Sequence, residues 1–232
     1  FLKFQLRPRR LVDVSSVDMS TDILGVRYNT PIVLAPVGGH RAFNAAGEEA
    51  VARAAQVGDH LMILSTQSTT SPEAVIAERG APIWYQLYPT NYWHVAEALA
   101  KRAEQAGCPV VALTVDRPAD RNAETFERYA RSDTADCTAC HVPEGSTVEQ
   151  RLSGRAMYQG IDLSQVMTTQ ASGLTWDFVE RLKSATSMKV VLKGIVTSQD
   201  AALCLQHGVD GIIVSNHGGR SEASGRSTIE SL

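Results

Sequence analysis

Val110-Val111-Ala112-Leu113-Thr114-Val115-Asp116 decides how the rest of the chain is read. Four apolar residues run on without alternation, and polar residues then enter at every second place. A strand with one wet face alternates from its first residue, whereas one covered by helices on both faces stays apolar until it ends. The stretch therefore reads as a buried parallel strand, with Thr114 and Asp116 on one side of the pleat. Five further runs have the same form, at 32–36, 61–66, 83–88, 190–195 and 211–216. Between them lie helical patterns at 47–57, 72–79, 92–105, 176–184 and 198–207. Thr197-Ser198-Gln199-Asp200 opens the last of these and Gly208 closes it, while Gly107 closes the third.

Successive strands begin 29, 22 and 27 residues apart, then 80, then 21. Repeated strand–helix units of roughly 25 residues mean a parallel α/β architecture. The first strand ends in Ala35-Pro36-Val37-Gly38-Gly39 with no G-x-G-x-x-G after it, which counts against a dinucleotide-binding open sheet. Polar residues close nearly every strand: Ser65, Gln86, Thr114 with Asp116, Lys193 and His217. In a (β/α)8 barrel such ends share one mouth, where active sites are built. The reading is a single (β/α)8 TIM-barrel domain over 1–232, partial because six strands are visible where a barrel needs eight in about 250 residues. Residues 1–31 read as a lead-in with a hairpin of 11–14 against 23–26. The start at Phe1 reads as trimmed, and open barrel edges would favour association into homo-oligomers. Residues 117–174 form a long insertion, the length of a lid or binding loop.

The 232 residues are 44% hydrophobic and 20% charged, ordinary for a globular domain with a sizeable core. The balance of 22 Lys+Arg against 25 Asp+Glu leaves a net charge of −3, without the clustered cations that nucleic acid or an anionic membrane requires. No apolar run approaches the ~18 residues of a membrane-spanning helix, and a cytoplasmic protein is expected.

Lys193, within Val191-Leu192-Lys193-Gly194, needs a partner if buried in its strand. It reads as a Schiff-base amine, a phosphate ligand or the neighbour of an anionic cofactor ring, or as a side chain that snorkels to solvent. In Ser215-Asn216-His217-Gly218-Gly219-Arg220, His217 is suited to proton abstraction near neutral pH. The two glycines let Arg220 turn toward the same mouth, where its fork suits a carboxylate or phosphate. Asp116 either pairs with His217 or caps the turn before Pro118. Gln86 and Tyr88 repeat the two-residue spacing and offer an amide and a hydroxyl. Ser65 is an ordinary strand-end hydroxyl when taken alone.

Together these strand ends resemble the FMN-dependent α-hydroxy-acid oxidase/dehydrogenase family, which includes glycolate oxidase, lactate oxidase, and the lactate and mandelate dehydrogenases. The similarity runs from Leu6-Arg7-Pro8-Arg9 through Ala35-Pro36, Gln86-Leu87-Tyr88, Leu113-Thr114-Val115-Asp116 and Leu192-Lys193-Gly194-Ile195 to Ser215-Asn216-His217-Gly218-Gly219-Arg220. The resemblance implies an FMN-binding barrel that oxidises a small 2-hydroxy acid to the 2-oxo acid. It places Pro36, Val37, Gly38, Ser65, Gln86, Thr114 and Lys193 against FMN. His217 would be the base, Asp116 the stabiliser of its imidazolium, Arg220 the carboxylate clamp, and Tyr88 a hydrogen-bond partner of the substrate oxygen. The electron acceptor would be oxygen, a quinone or a cytochrome. The family's second substrate arginine falls here near Asn122 or Ala123; either Arg121 substitutes for it or the substrate differs. The family's N-terminal active-site tyrosine would precede Phe1, and the strands that hold the FMN phosphate would follow the sixth.

The insertion contains Cys137-Thr138-Ala139-Cys140-His141. Cys137, Cys140 and His141 read as a haem c attachment, a local disulfide, a metal pair or two free thiols. With haem, the protein would be a periplasmic flavin–haem electron-transfer dehydrogenase, and Met157 or Met167 would be a candidate sixth ligand. A further reading is a truncated relative that binds flavin or acts as a scaffold without catalysis.

Overall fold

Each strand of the main sheet lies beside its sequence neighbour. The computed structural model describes residues 3–117, 128–129, 131–132 and 146–232. The order is β3 (Val33–Leu34), β4 (Leu61–Ser65), β5 (Trp84–Leu87), β6 (Val110–Thr114), β7 (Lys189–Ile195) and β8 (Gly211–Val214), all parallel. A doubly wound sheet reverses its strand order at a switch point; this one never does. The six strands curl into an incomplete (β/α)8 barrel, as the sequence implies. Its outer edges, β3 and β8, leave Ile32, Val33 and Ile212 exposed.

The connecting helices are α1 (Gly47–Gly58), α2 (Pro72–Arg79), α3 (Trp93–Gln105), α4 (Val148–Ser153), α5 (Trp176–Ala185), α6 (Ser198–Gln206) and α7 (Thr228–Ser231). Their ends follow the chemistry of the chain. Ser71 accepts from the backbone of Ala74 at 3.3 Å with Pro72 in the first turn, and Gly80 stops α2 at φ 72°. Thr197 caps α6 by accepting from Asp200 N at 3.1 Å.

Side-chain period 2 divides the strands between two cores. The outer residues Met62, Leu64, Tyr85, Leu87, Val111, Leu113, Val190 and Leu192 join the helices in the main cluster. The inner residues Leu61, Ile63, Trp84, Val110 and Val191 form a second, smaller cluster. Each large side chain fully buried in this way contributes roughly 1.5–3 kcal/mol of transfer free energy.

Two expectations need correction. The hairpin pairs β1 (Thr21–Ile23) with β2 (Val26–Tyr28), while 11–14 lies in no strand and exposes Leu11, Val12 and Val14. Leu24 and Gly25, both at positive φ (51° and 86°), are the turn itself, the φ signs of a type I′ connection. Leu24 and Ile23 pack under the inner cluster and close its lower end.

The second correction concerns 117–174. Its described part from 146 onward is built structure rather than bare loop. Thr147 and Gln150 form a reciprocal capping box at α4. Leu152, Met157, Tyr158, Leu163 and Val166 enter the main core, and Arg102 Nη1 donates to Ala156 O at 2.7 Å and Met157 O at 3.1 Å. Met157 is thus a core residue, whereas Met167 is exposed. Cys137, Cys140, His141 and Arg121 lie outside the described residues.

Candidate active site at the strand ends

Climbing the inner face toward the C-terminal strand ends, the side chains change character. β4 carries Leu61, Ile63, then Ser65, and β5 carries Trp84, Gln86, then Tyr88. β6 carries Val110, Ala112, Thr114, then Asp116, and β7 carries Val191, then Lys193. Strand register brings the polar members into a row. Ser65 Oγ donates to Gln86 Oε1 at 3.0 Å, and Gln86 Nε2 donates to Thr114 Oγ1 at 2.9 Å. Thr114 lies opposite Lys193, whose Nζ donates to Ser215 Oγ at 3.2 Å. All but Ser215 are buried, so each hydrogen bond replaces a solvent contact that burial removed.

Lys193 is 9% exposed. Burial pushes its ammonium below the ordinary lysine range; Asp116, with Oδ2 at 4.0 Å, opposes that shift and Arg220 adds to it. Among the described residues one of its three N–H donors is used, on a neutral hydroxyl. A desolvated cation with two donors left suits the electron-rich edge of an anionic ring.

Beyond the row stands His217. Its Nδ1 is 2.7 Å from Asp116 Oδ1 and its Nε2 is 3.0 Å from Tyr88 Oη. The His217 and Asp116 side chains are 9% and 5% exposed. His217 takes φ 57°, a left-handed conformation uncommon for a residue with a Cβ. Its N–H donates to Ser215 Oγ at 3.1 Å. Gly218 and Gly219 follow at φ 70° and 76° and turn the chain so that Arg220 Nε donates to His217 O at 2.8 Å. Among the described residues the two Nη groups of Arg220, on an exposed residue, have no partner and remain available for an anion.

A cavity of about 610 Å³ runs along the inner face between the edge strands β3 and β8, from Ile23 and Leu24 at its lower end to Pro36, Lys193, Ser215 and Asn216 at the strand ends. Ser65, Gln86 and Thr114 stand in the polar row rather than on its wall. Val37 is exposed. Gly38 lets the β3 loop approach Gln67, whose Cβ would lie 2.6 Å from a Cβ added there. The paired donors and acceptors of the row and the buried ammonium of Lys193 beside it fit the polar edge of a flavin ring.

Three residues of this region escape the sequence reading. Gly194 forms an irregularity in β7 between Lys193 and Ile195, so that Lys193 faces inward and Ile195 joins the outer core. At φ 111° its missing Cβ would sit 2.6 Å from Asp116 Cβ and 2.9 Å from Oδ2; any side chain would displace the carboxylate. Ser215 is the shared partner of Lys193 and His217. Glu48, fully buried, accepts from Thr69 N at 3.1 Å, Thr70 Oγ1 at 3.1 Å and His40 N at 3.3 Å, tying the loops after β3 and β4 together. Burial alone would raise its carboxyl, but hydrogen bonds from His40 and Thr69 outweigh this and hold it well below the usual range. Within Gly47-Glu48-Glu49-Ala50 nothing local tells the buried Glu48 from its half-exposed neighbour Glu49, and the other two depend on strand geometry.

Comparison with known proteins places the whole chain in one family. The FMN-dependent dehydrogenase family matches residues 1–232. A peroxisomal (S)-2-hydroxy-acid oxidase of Oryza sativa subsp. japonica is 40% identical over 240 residues, covering 100% of this chain and 62% of the relative. The glycolate oxidase of Spinacia oleracea is 35% identical over 234 residues, covering 95% of this chain and 58% of the relative. A solved structure of a mandelate oxidase mutant with (S)-mandelic acid superposes with a TM-score of 0.76 at 32% identity, covering 98% of this chain and 60% of that one. The chain thus spans about three fifths of the length of these relatives. With the whole chain matched and a parallel barrel sheet beneath it, the protein belongs to the FMN-dependent dehydrogenase family.

Proposed function

We propose that this chain is part of a single FMN-binding barrel domain that oxidises a small 2-hydroxy acid to the corresponding 2-oxo acid. The observation that carries this reading is His217, held between Asp116 Oδ1 and Tyr88 Oη at 2.7 and 3.0 Å and joined through Ser215 to the buried Lys193. FMN, when bound, supplies a two-electron acceptor. His217 Nε2 takes a proton from the substrate as its electron pair leaves, and Asp116 stabilises the resulting imidazolium while fixing the ring. Tyr88 Oη meets the substrate oxygen at the place it now shares with His217 Nε2. The free Nη groups of Arg220 hold the carboxylate. Ser65, Gln86, Thr114 and Lys193 would hold the FMN ring, with the Lys193 ammonium placed to offset negative charge there. The oxidase names of the relatives favour oxygen as the terminal acceptor.

Anaerobic mixing of the FMN-loaded full-length protein with (S)-lactate, glycolate and (S)-mandelate tests the reading. At least one should bleach the flavin, and His217→Ala should slow the bleaching about 10²–10⁴-fold with FMN still bound. Bleaching at the wild-type rate in the variant refutes the role of His217. Protein that takes up no FMN supports the scaffold alternative instead.

A further inference from the structure

Glu48 is a buried charge that the chemistry proposed above does not use. It lies in the first turn of α1 and is fully buried, whereas its neighbour Glu49 is half-exposed and faces Arg41 at 3.8 Å. Among the described residues the only ion-pair partner of Glu48 is His40, whose Nδ1 is out of solvent and 3.4 Å from Oε1. Neutral donors do the rest, and they come from two loops. His40 N, in the loop after β3, and Thr69 N, in the loop after β4, donate to Oε1 at 3.3 and 3.1 Å. Thr69 Oγ1 and Thr70 Oγ1 donate to Oε2 at 2.5 and 3.1 Å. These bonds fill the acceptor capacity of a carboxylate. A buried charge is unfavourable unless its hydrogen bonds are complete, so the loops cannot separate without leaving it uncompensated.

The same two loops meet again nearer the strand ends. Gly39 N donates to Gln67 O at 3.0 Å, and Gly38 lies against the Gln67 side chain. Gln67 N in turn donates to Ser65 Oγ at 3.1 Å, the first hydroxyl of the polar row. The groups registered in this way, Pro36 to Gly38 on one loop and Ser65 on the other strand end, are those assigned to FMN above. Glu48 bonds to none of them. It grips His40 and Thr69, which follow them in the chain, and so fixes how far apart the two loops stand.

We propose that Glu48 is a positioning residue for the flavin, its ionised carboxylate holding the loop after β3 at the distance from Ser65 that the FMN ring requires. This rests on the function proposed above. The test uses the full-length protein, freed of FMN and titrated with it by flavin fluorescence. Glu48→Gln keeps the shape but turns an amide donor toward donors. It should weaken FMN binding about 10- to 100-fold at pH 7, the effect of hydrogen bonds to a charged group, with the fold intact by circular dichroism. Leu113→Ala, a defect in the outer core, is the control and should bind FMN as the wild type does. With FMN at saturation, KM for the 2-hydroxy acid should stay near wild type in Glu48→Gln, because Tyr88, His217 and Arg220 follow other strands. Thr69→Val removes one hydroxyl donor and should weaken FMN about 3- to 10-fold. Unchanged affinity in Glu48→Gln, a loss no greater than in Leu113→Ala, or a rise in KM as large as the loss of FMN affinity overturns the inference. If Glu48→Gln does not fold, Thr69→Val decides in the same way. Wild-type protein that binds FMN while both variants bind it equally well sinks this inference alone. Wild-type protein that takes up no FMN sinks the proposed function, and this inference with it.

Discussion

The two faces of the same strands obey different rules. On the outer face, β4 to β7 place apolar side chains from end to end against helices. On the inner face the same strands begin apolar and finish with Ser65, Gln86, Thr114 and Lys193. The outer face is governed by transfer free energy and close contact, where one aliphatic residue can replace another if volume is kept. The upper inner face is governed by hydrogen bonding and charge in a desolvated place, where each group is specified by its neighbours. The lesson is that fold and chemistry are written on alternate residues of one segment, and substitutions on the two faces should fail in different ways.

The largest effect is expected at the polar end. Asp116→Asn keeps shape but removes the charge facing both His217 and Lys193. It should slow flavin reduction by substrate about 10²–10⁴-fold while leaving the fold in place, as circular dichroism and stopped-flow absorbance would show. A rate near wild type would mean that the carboxylate only positions the ring. Leu113, one residue before Thr114 and fully buried on the other face, should do the opposite. Leu113→Ala should cost about 2–5 kcal/mol of stability through lost transfer energy and a residual cavity, read from denaturant midpoints, with the folded protein still reducing its flavin. If Leu113→Ala abolished turnover at intact stability, the separation of the faces would be wrong.

The outer rule was legible in the sequence and the inner rule only in part. Unbroken runs such as Leu61-Met62-Ile63-Leu64 announce strands covered on both sides, and the spacing of those runs gives the barrel. The polar strand ends gave Gln86, Asp116, Lys193, His217 and Arg220, because a polar residue closing an apolar run stands out. What stayed hidden depends on exact geometry. Nothing local says that Gly194 must lack a Cβ for Asp116 to fit, nor that Ser215 joins Lys193 to His217. Residues 146–174 looked patternless because their apolar residues, Leu152, Met157 and Leu163 among them, follow neither helical nor strand period for long. They are fixed by contacts with α3 and the main core instead. The hairpin was misplaced because Leu24-Gly25 was counted as strand rather than as the turn.

Glu48 sharpens the contrast, being a buried charge at the rim of the polar end but outside the row. Its carboxyl is held below the ordinary 4.5, so its contribution is complete above that pH and is lost as pH falls through the lower folded-state value. Glu48→Gln should cost about 1–3 kcal/mol at pH 7. The gap between wild type and variant should then narrow as pH drops below 4.5. A gap that stayed constant into acid would show that the ionised form is not what the His40 and Thr69 hydrogen bonds stabilise.

The smallest expected effect probes the lower end of the inner face, where the hairpin closes the apolar cluster. At Gly25 an added Cβ would meet only Lys189 Nζ, at 3.9 Å, so no clash opposes a side chain there. The cost of Gly25→Ala is then conformational, about 1 kcal/mol for holding an L residue at φ 86°. That loss should appear in the unfolding midpoint of the FMN-loaded protein, while FMN affinity and the rate of flavin reduction stay unchanged. The reasoning is spatial: Leu24 touches the inner cluster at its lower end, and the interposed layer of Ile63, Trp84 and Val191 is apolar and carries no hydrogen bond upward to the row of Ser65, Gln86, Thr114 and Lys193. These side chains line one open cavity together with Leu24 and Lys193, so a shift at the hairpin is taken up in that space unless the layer moves as a body. A change in reduction rate without a change in stability would show that it does, and that the chemistry at the mouth is tuned from the closed end.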